Sequence, residues 1–384
     1  MEAKGSSTVY DFEHARVFQL DQKTKTIQDN SLYADVGFRV LEFFNRVNLG
    51  TMMHSAKIDT QLFDLAAIEH LFSLSADKSD TVVDSVETNG TKVYRAKQTV
   101  LMTVSDRTQS LPAASQGDYW RFMRYYVGGH PAIYASLAPV KGVPIQVVVE
   151  LHNLGVETRT LKLESIRTGP DTAYSLDGYQ RASPNTEPFV ALRLVDANAP
   201  EALALRVTRA RQDRDDAFAR GDYVGAMLAY DDMLLSNGTG EPEWLKMAYN
   251  QLTADPATQR LNGAAASGAR TVRDSVAQKK ALEEFATLRT LNPTYVDVLD
   301  VFEANVRIAL REEHGQDLLF DALHVNPYLI GAWHDLGDSY YRAFRMPDAW
   351  TCWDVARRIS PSAPMMREVD QLEQLLRAKN PQFF

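Results

Sequence analysis

Apolar residues recur along the chain with two different periods. Up to about residue 182 the pattern is mostly alternation, the mark of strands with one buried face. The stretches ARVFQLD (15–21), GTKVYRAKQTVLMTVS (90–105), WRFMRYYVGG (120–129), VPIQVVVELHN (143–153) and ETRTLKLESIRTG (157–169) are rich in β-branched and aromatic residues. Turn signals such as DQKT, TNGT and VGGHP bound them. In the fourth stretch Ile145, Val147, Val149 and Leu151 share one face by period two. Two helical stripes interrupt the strands. One is 32–53, with Leu32, Val36, Val40, Phe43 or Phe44, and Val47 on one side; the other is 60–74. The expectation is a curved antiparallel β-sheet domain with two helices. From about residue 200 the period becomes 3.6, and the rest reads as nearly all helix. ASPNTEP (182–188) marks the change, because prolines in a polar stretch favour an extended connection. The fold class is therefore α+β: a β-rich domain at 1–185, a linker at 186–200 and an all-α helical array at 201–384.

Composition narrows the function. At 45 % hydrophobic residues over 384, the chain can bury a sizeable core. Net charge is −9 and both halves are mildly acidic, which speaks against a nucleic-acid partner. No run approaches the ~18 apolar residues of a membrane span, so no transmembrane segment is expected. The single cysteine, Cys352, has no internal disulfide partner. The start MEAKGSSTVY has no apolar signal core. The location is then periplasmic or cell-envelope if a signal sequence was removed, and cytoplasmic otherwise.

Motif chemistry is sparse. Asp11, Glu13 and His14 do not converge if YDFEHAR is a strand, since His14 points opposite to the two acids. GGHP (128–131) reads as a tight turn. His54 and His70 lack metal-ligand spacing, and no CxxC, P-loop, GxGxxG or GxSxG occurs. No catalytic residue, metal or cofactor is expected.

The helical half carries a repeat. Pro293, Pro327 and Pro361 stand 34 residues apart. Trp333, Leu336, Gly337 and Tyr340 follow the spacing W-x2-L-G-x2-Y, then come Ala349, Trp353 and Ala356. This resembles the tetratricopeptide repeat, a helix–turn–helix unit of that length. Gly221, Tyr223, Ala226 and Tyr230 form a second match; the unit at 296–329 is degenerate, with Glu303 where a small residue is usual. The match at 221–230 is out of phase with the others, and NGAAASGAR (262–270) puts a helix in doubt. Met365, Val369, Leu372 and Leu376 form the stripe of a capping helix. The resemblance implies a solenoid that docks a protein partner on the first helix of each pair, at His334, Asp338, Tyr341 and Arg342 in the best-matched unit.

The N-terminal half resembles the LolA/LppX-like cell-envelope proteins. Three stretches carry this: VFQLDQKTKTIQ (17–28), the helices at 32–74, and LESIRTGPDTAYSLDGYQRA (163–182), in which Tyr174 and Gly178–Tyr179 match while Leu176 replaces a usual proline. The resemblance implies an apolar cavity for lipid or lipoprotein acyl chains, lined by Phe38, Val40, Phe43, Phe44, Trp120 and Phe122. Together these features describe a non-catalytic binding and scaffold protein. The alternative is an enzyme with a scattered site in the β-rich half and repeats that recruit substrate.

Overall fold

The computed structural model describes residues 2–3, 5–57, 64–153, 155–166, 175–181, 187–197, 199–237, 240–269 and 274–384. Tyr174, residues 182–186 of the boundary stretch, the start of the expected helix at 60–63 and Arg270 lie outside the described residues. The chain is mixed α+β, with antiparallel sheets first and a helix-rich half after them. It divides into two compact units: Met1–Gln180 together with Gln374–Phe384, and Arg181–Glu373. The final eleven-residue segment thus clusters with the β-rich unit rather than with the helices that precede it.

The β unit holds two five-stranded sheets where the sequence pattern suggested one. In the first, β1 (Glu2–Ala3), β2 (Ser6–Asp11), β3 (Arg16–Asp21) and β4 (Thr26–Ser31) form an antiparallel meander, with β12 (Gln180–Arg181) beside β4. Phe18, Leu20 and Ile27 make its core, and Leu176 and Tyr179 pack on them. The second has the order β11–β10–β7–β6–β5, with β5 Val83–Thr88, β6 Thr91–Ala96, β7 Thr99–Ser105, β10 Gln146–His152 and β11 Val156–Lys162. Val147, Val149 and Leu151 face inward as alternation requires; Ile145 sits at a bend before the strand. A short pair, β8 (Thr108–Gln109) with β9 (Val143–Pro144), forms a third sheet. Helix α1 (Leu32–Ser55) follows β4 without a loop, its first turn capped by Ser31, whose hydroxyl accepts from the Tyr33 amide. Its length between β4 and β5 separates the two sheets along the chain. Helix α2 (Leu65–Phe72) is capped by Asp64 in the same way.

One stretch inverts the sequence expectation. WRFMRYYVGG is not a strand but the end of helix α3 (Ala113–Val127). Trp120, Met123 and Val127 are buried at helical spacing in the core under the second sheet. Aromatic β-propensity reflects packing on a pleated surface, and here that packing comes from a helix face instead. The helix stops at Gly128 (φ +77) and Gly129 (φ +120). Added side chains there would meet Leu71 O at 2.9 Å and the Tyr134 ring at 2.6 Å. Helix α4 (Pro131–Leu137) follows. The C-terminal segment completes this unit: Phe383 is fully buried against Tyr125, with ring centroids 5.3 Å apart, and Phe384 lies 4.9 Å from Tyr33.

The helical unit contains α5 (Pro188–Asp196), α6 (Pro200–Ala219), α7 (Tyr223–Asn237), α8 (Pro242–Ala254), α9 (Pro256–Ser267), α10 (Ser275–Leu291), α11 (Val296–Ala309), α12 (Asp317–Val325), α13 (Ile330–Arg342), α14 (Met346–Ile359) and most of α15 (Met366–Lys379). Consecutive helices pack as α6 with α7, α9 with α10, α11 with α12 and α13 with α14. The three prolines spaced by 34 residues each follow the second helix of a pair. Helix α8 is the odd member, and its insertion accounts for the phase slip. The doubtful stretch at 262–267 is helical after all, because α9 is capped by Asp255 and buries Leu261 and Ala264. Glu303 is buried rather than small: its carboxylate accepts from Arg289 and Arg307, each at 2.7 Å.

Helices α13 and α14 show why the repeat spacing matters. Gly337 has no side chain because the Trp353 indole occupies that space, with Ala349 O 3.1 Å from where a Cβ would stand. Trp333, fully buried, donates from Nε1 to Pro327 O at 2.7 Å and ties the helix to its preceding loop. Trp353→Ala is expected to cost the helical unit about 3–5 kcal/mol, the usual loss for a buried aromatic, read by urea denaturation. Phe383→Ala should cost a similar ~3–5 kcal/mol, but in the β unit. Hydrogen exchange that quickens only in α5–α14 after the Phe383 change would refute the placement of the tail.

Candidate functional site

Buried polar groups in the β unit gather around the Gly128–Gly129 turn. His130 begins α4 as its N-cap: Nδ1 accepts from the Ala132 amide at 3.1 Å. This fixes the tautomer, so Nε2 donates to Glu69 Oε2 at 3.1 Å. Glu69 also accepts from the Ala76 amide and the Ser79 hydroxyl. Burial would raise its pKa, but these donors, His130 foremost, outweigh it and hold the carboxyl below the usual range. His70 Nδ1 accepts from the His130 amide at 2.8 Å. Its Nε2 approaches the Leu101 backbone without reaching hydrogen-bond geometry. Burial, helped by His130 and His152, pushes the His70 imidazole down to about 3, so it stays neutral. Glu69 and His130 have the look of a catalytic dyad, yet both imidazole nitrogens are spent on holding the turn. The arrangement is a clasp between α2 and α4.

A different group on α3 is less satisfied. Trp120 and Arg124 stand four residues apart and so share one face. The Arg124 guanidinium lies 4.2 Å over the Tyr134 ring, and Trp120 meets the same ring at 5.8 Å. Arg124 Nη1 and Trp120 Nε1 are both buried, and neither has an acceptor among the described residues. Burial lowers the Arg124 pKa, and the Tyr134 hydroxyl opposes this without outweighing it. Tyr119, stacked edge-on against Trp120 at 4.8 Å, is pushed up to about 12 by burial. Two strong donors are thus presented among three aromatic rings with nothing to receive them. Tyr134 itself is engaged, its hydroxyl donating to Gly128 O.

The residues singled out from sequence are scattered by comparison. Of the six proposed cavity residues, Phe43 and Trp120 are buried, Val40 and Phe122 are half-buried, and Phe38 and Phe44 are 43 % and 49 % exposed. Phe122 stacks on Tyr126 at 5.4 Å. Phe38 and Phe44 are thus exposed on α1 while Phe43 of the same helix is buried. Residues 12–15 form a turn, not a strand, and this brings His14 Nδ1 within 2.8 Å of Asp11 Oδ2, contrary to the expected divergence. The pair is exposed on the histidine side.

The face on α13 also differs from expectation. His334 is buried, because α14 lays Trp353 across this side: Nε1 is 3.2 Å from both His334 O and Asp338 Oδ1. Tyr341 packs on the rings of Trp350 and Trp353 at 5.9 and 5.6 Å. Only Arg342 is fully exposed. The four residues therefore do not form the outward-facing stripe that helical spacing suggested; most of it is the seam with α14. Cys352 is buried, and burial pushes its thiol well above the ordinary value, so it is not a nucleophile.

No protein-family model, no characterised protein and no solved structure matches the chain. Among the described residues no helix is long and apolar enough to cross a membrane.

The depressed His70 pKa has a signed consequence. The unfolded imidazole takes a proton near its reference value of about 6.5, and the folded one does not until about 3. Stability is therefore full above pH 6.5 and falls as pH drops below it. Glu69 joins only below its reference value of 4.5. The urea midpoint of the β unit should decline between pH 6.5 and 4.5, and His70→Asn, which keeps an acceptor but cannot titrate, should flatten that decline.

Proposed function

We propose that the protein is a non-catalytic binding and scaffold protein: its β unit holds an amphiphile with an acidic head, and its helical unit docks a protein partner. The observation that carries the first part is the pair of buried donors without acceptors on α3, Arg124 Nη1 and Trp120 Nε1. A guanidinium nitrogen that has lost water without gaining an acceptor among the described residues is costly, and a carboxylate or phosphate head would satisfy it in charge and geometry. The rings of Tyr119, Trp120 and Tyr134 suit the apolar part of such a molecule. A fatty acid or lipid-type ligand agrees with the LolA/LppX-like resemblance and with a periplasmic or cell-envelope setting.

The partner-docking part rests on the helical pairs and on the proline period, which support a tetratricopeptide-type solenoid. With His334 buried and Asp338 and Tyr341 engaged with Trp353, Arg342 is the fully exposed residue of the four expected on this face and is left to meet a partner. A non-catalytic reading is supported by the full engagement of His130 and the burial of Cys352.

The test is titration of the whole protein with oleate and with a lysophosphatidic acid, followed by calorimetry. Arg124→Gln is expected to weaken binding at least about tenfold, the scale of a lost charge-assisted hydrogen bond. Saturable binding unaffected by Arg124→Gln, or no binding of either amphiphile, would refute the reading.

A further inference from the structure

Three carboxylates lie buried beside a single guanidinium in the helical unit. Helix α7 packs against α6, α8, α9, α11 and α13 and carries no basic residue of its own. It nevertheless buries two adjacent acids, Asp231 and Asp232. A third, Asp297, is 1 % exposed at the start of α11. We propose that acidification tightens the helical unit by placing protons on these carboxylates, the reverse of its effect on the β unit, so that pH sets which unit is the weaker.

The charges do not balance. Arg206 of α6 serves two acids with the same nitrogen: Nη2 donates to Asp232 Oδ1 at 3.1 Å and to Asp297 Oδ2 at 2.5 Å. The other partners are neutral. Asp232 Oδ1 also accepts from Ser236 Oγ at 3.3 Å and from Asn326 Nδ2, just past α12, at 3.2 Å. Asp297 Oδ1 is buried with no hydrogen-bond donor among the described residues. Tyr295, in the turn Pro293–Tyr295, brings no charge: burial first, then Asp213, Asp232 and Asp222, push its hydroxyl up to about 12. Among the described residues α8, α9 and α13 form no ion pair with the two α7 acids. Further along α11 the buried pair Asp300 and Glu303 has two cations, Arg289 and Arg307.

Two carboxylates on one guanidinium leave a negative charge unmatched, and burial makes that costly. A proton shared by the pair removes it. Burial accordingly holds Asp232 and Asp297 above the ordinary carboxylate range, against the pull of Arg206. On Asp231 burial acts alone and pushes the carboxyl up to about 8.

An acid raised in this way keeps its proton more readily in the folded chain than in the unfolded one. The stability this brings is present in acid and is lost as pH rises from the ordinary 3.8 to about 8 for Asp231. His70 in the β unit has the opposite sign, because its imidazole stays neutral when folded. Where the β unit carries a ligand, acid would free that ligand while the docking unit stays folded. That consequence rests on the proposed function; the opposed stabilities do not.

The experiment follows each unit separately in urea, in the whole protein. Cys352 is the sole cysteine and is buried in α14, so its exchange with dithiodipyridine, which also reacts in acid, reports unfolding of the helical unit. Val149→Cys in a Cys352→Ser chain reports the β unit in the same way. From pH 8 to pH 5 the helical midpoint is expected to rise, while the β midpoint falls. Asp231→Asn and Asp297→Asn imitate the protonated acids. Each should raise the helical midpoint at pH 8, lose that gain toward pH 5 and leave the β midpoint unchanged. The folding constant of Asp231→Asn relative to wild type should grow with pH by up to about tenfold per unit. A helical midpoint that is flat or falls toward pH 5 overturns the proposal. So do asparagine variants whose effect is the same at both pH values. If one variant does not fold, the other and the wild-type slopes decide. Failure of both amphiphiles to bind would refute the ligand reading alone and leave these slopes as predicted.

Discussion

The close approach of α13 and α14 is the contact on which the helical unit depends. It exists because Gly337 leaves room for an indole. Trp353 fills that room, and its Nε1 reaches both the His334 carbonyl and the Asp338 carboxylate. The same side chain therefore packs the pair and buries the face that helical spacing would have turned outward. A larger residue at 337 would push the helices apart and undo both effects at once.

The β unit relies on a comparable economy of space. Gly128 and Gly129 adopt conformations that a side chain would obstruct, and this lets His130 start α4 while its ring reaches back to Glu69. His70, from the same turn of α2 as Glu69, accepts the His130 amide. Every donor and acceptor of the Glu69–His130 pair is used for structure. By contrast, Arg124 Nη1 and Trp120 Nε1, a few residues earlier, have no acceptor among the described residues. The Glu69–His130 pair is thus a clasp, and the two α3 donors stand apart from it as the candidate ligand position.

How much of this could be read from sequence varied with the kind of signal. The period change near residue 190, the helix at 32–53, the strand face of Val147, Val149 and Leu151 and the Gly337–Trp353 interlock all rest on local spacing, which sequence displays. Helix α3 was hidden because Trp, Phe and Tyr favour strands on average, although Trp120, Met123 and Val127 at steps of three and four carried the helical period. The burial of His334 was not legible, since only the packing of α14 decides which side of α13 meets water. The donors on α3 were not legible either, because an unmet hydrogen bond is a property of three-dimensional neighbours alone.

The central claim is that the unmet donors on α3, Arg124 Nη1 and Trp120 Nε1, mark where this protein takes its ligand. A crystal structure of the protein grown with a long-chain fatty acid tests it most directly. The account predicts a carboxylate oxygen at roughly 3 Å from Arg124 Nη1, the ordinary hydrogen-bond distance, with the chain against Tyr119, Trp120 and Tyr134. A fatty acid bound elsewhere, with Arg124 still facing only the Tyr134 ring, would contradict it.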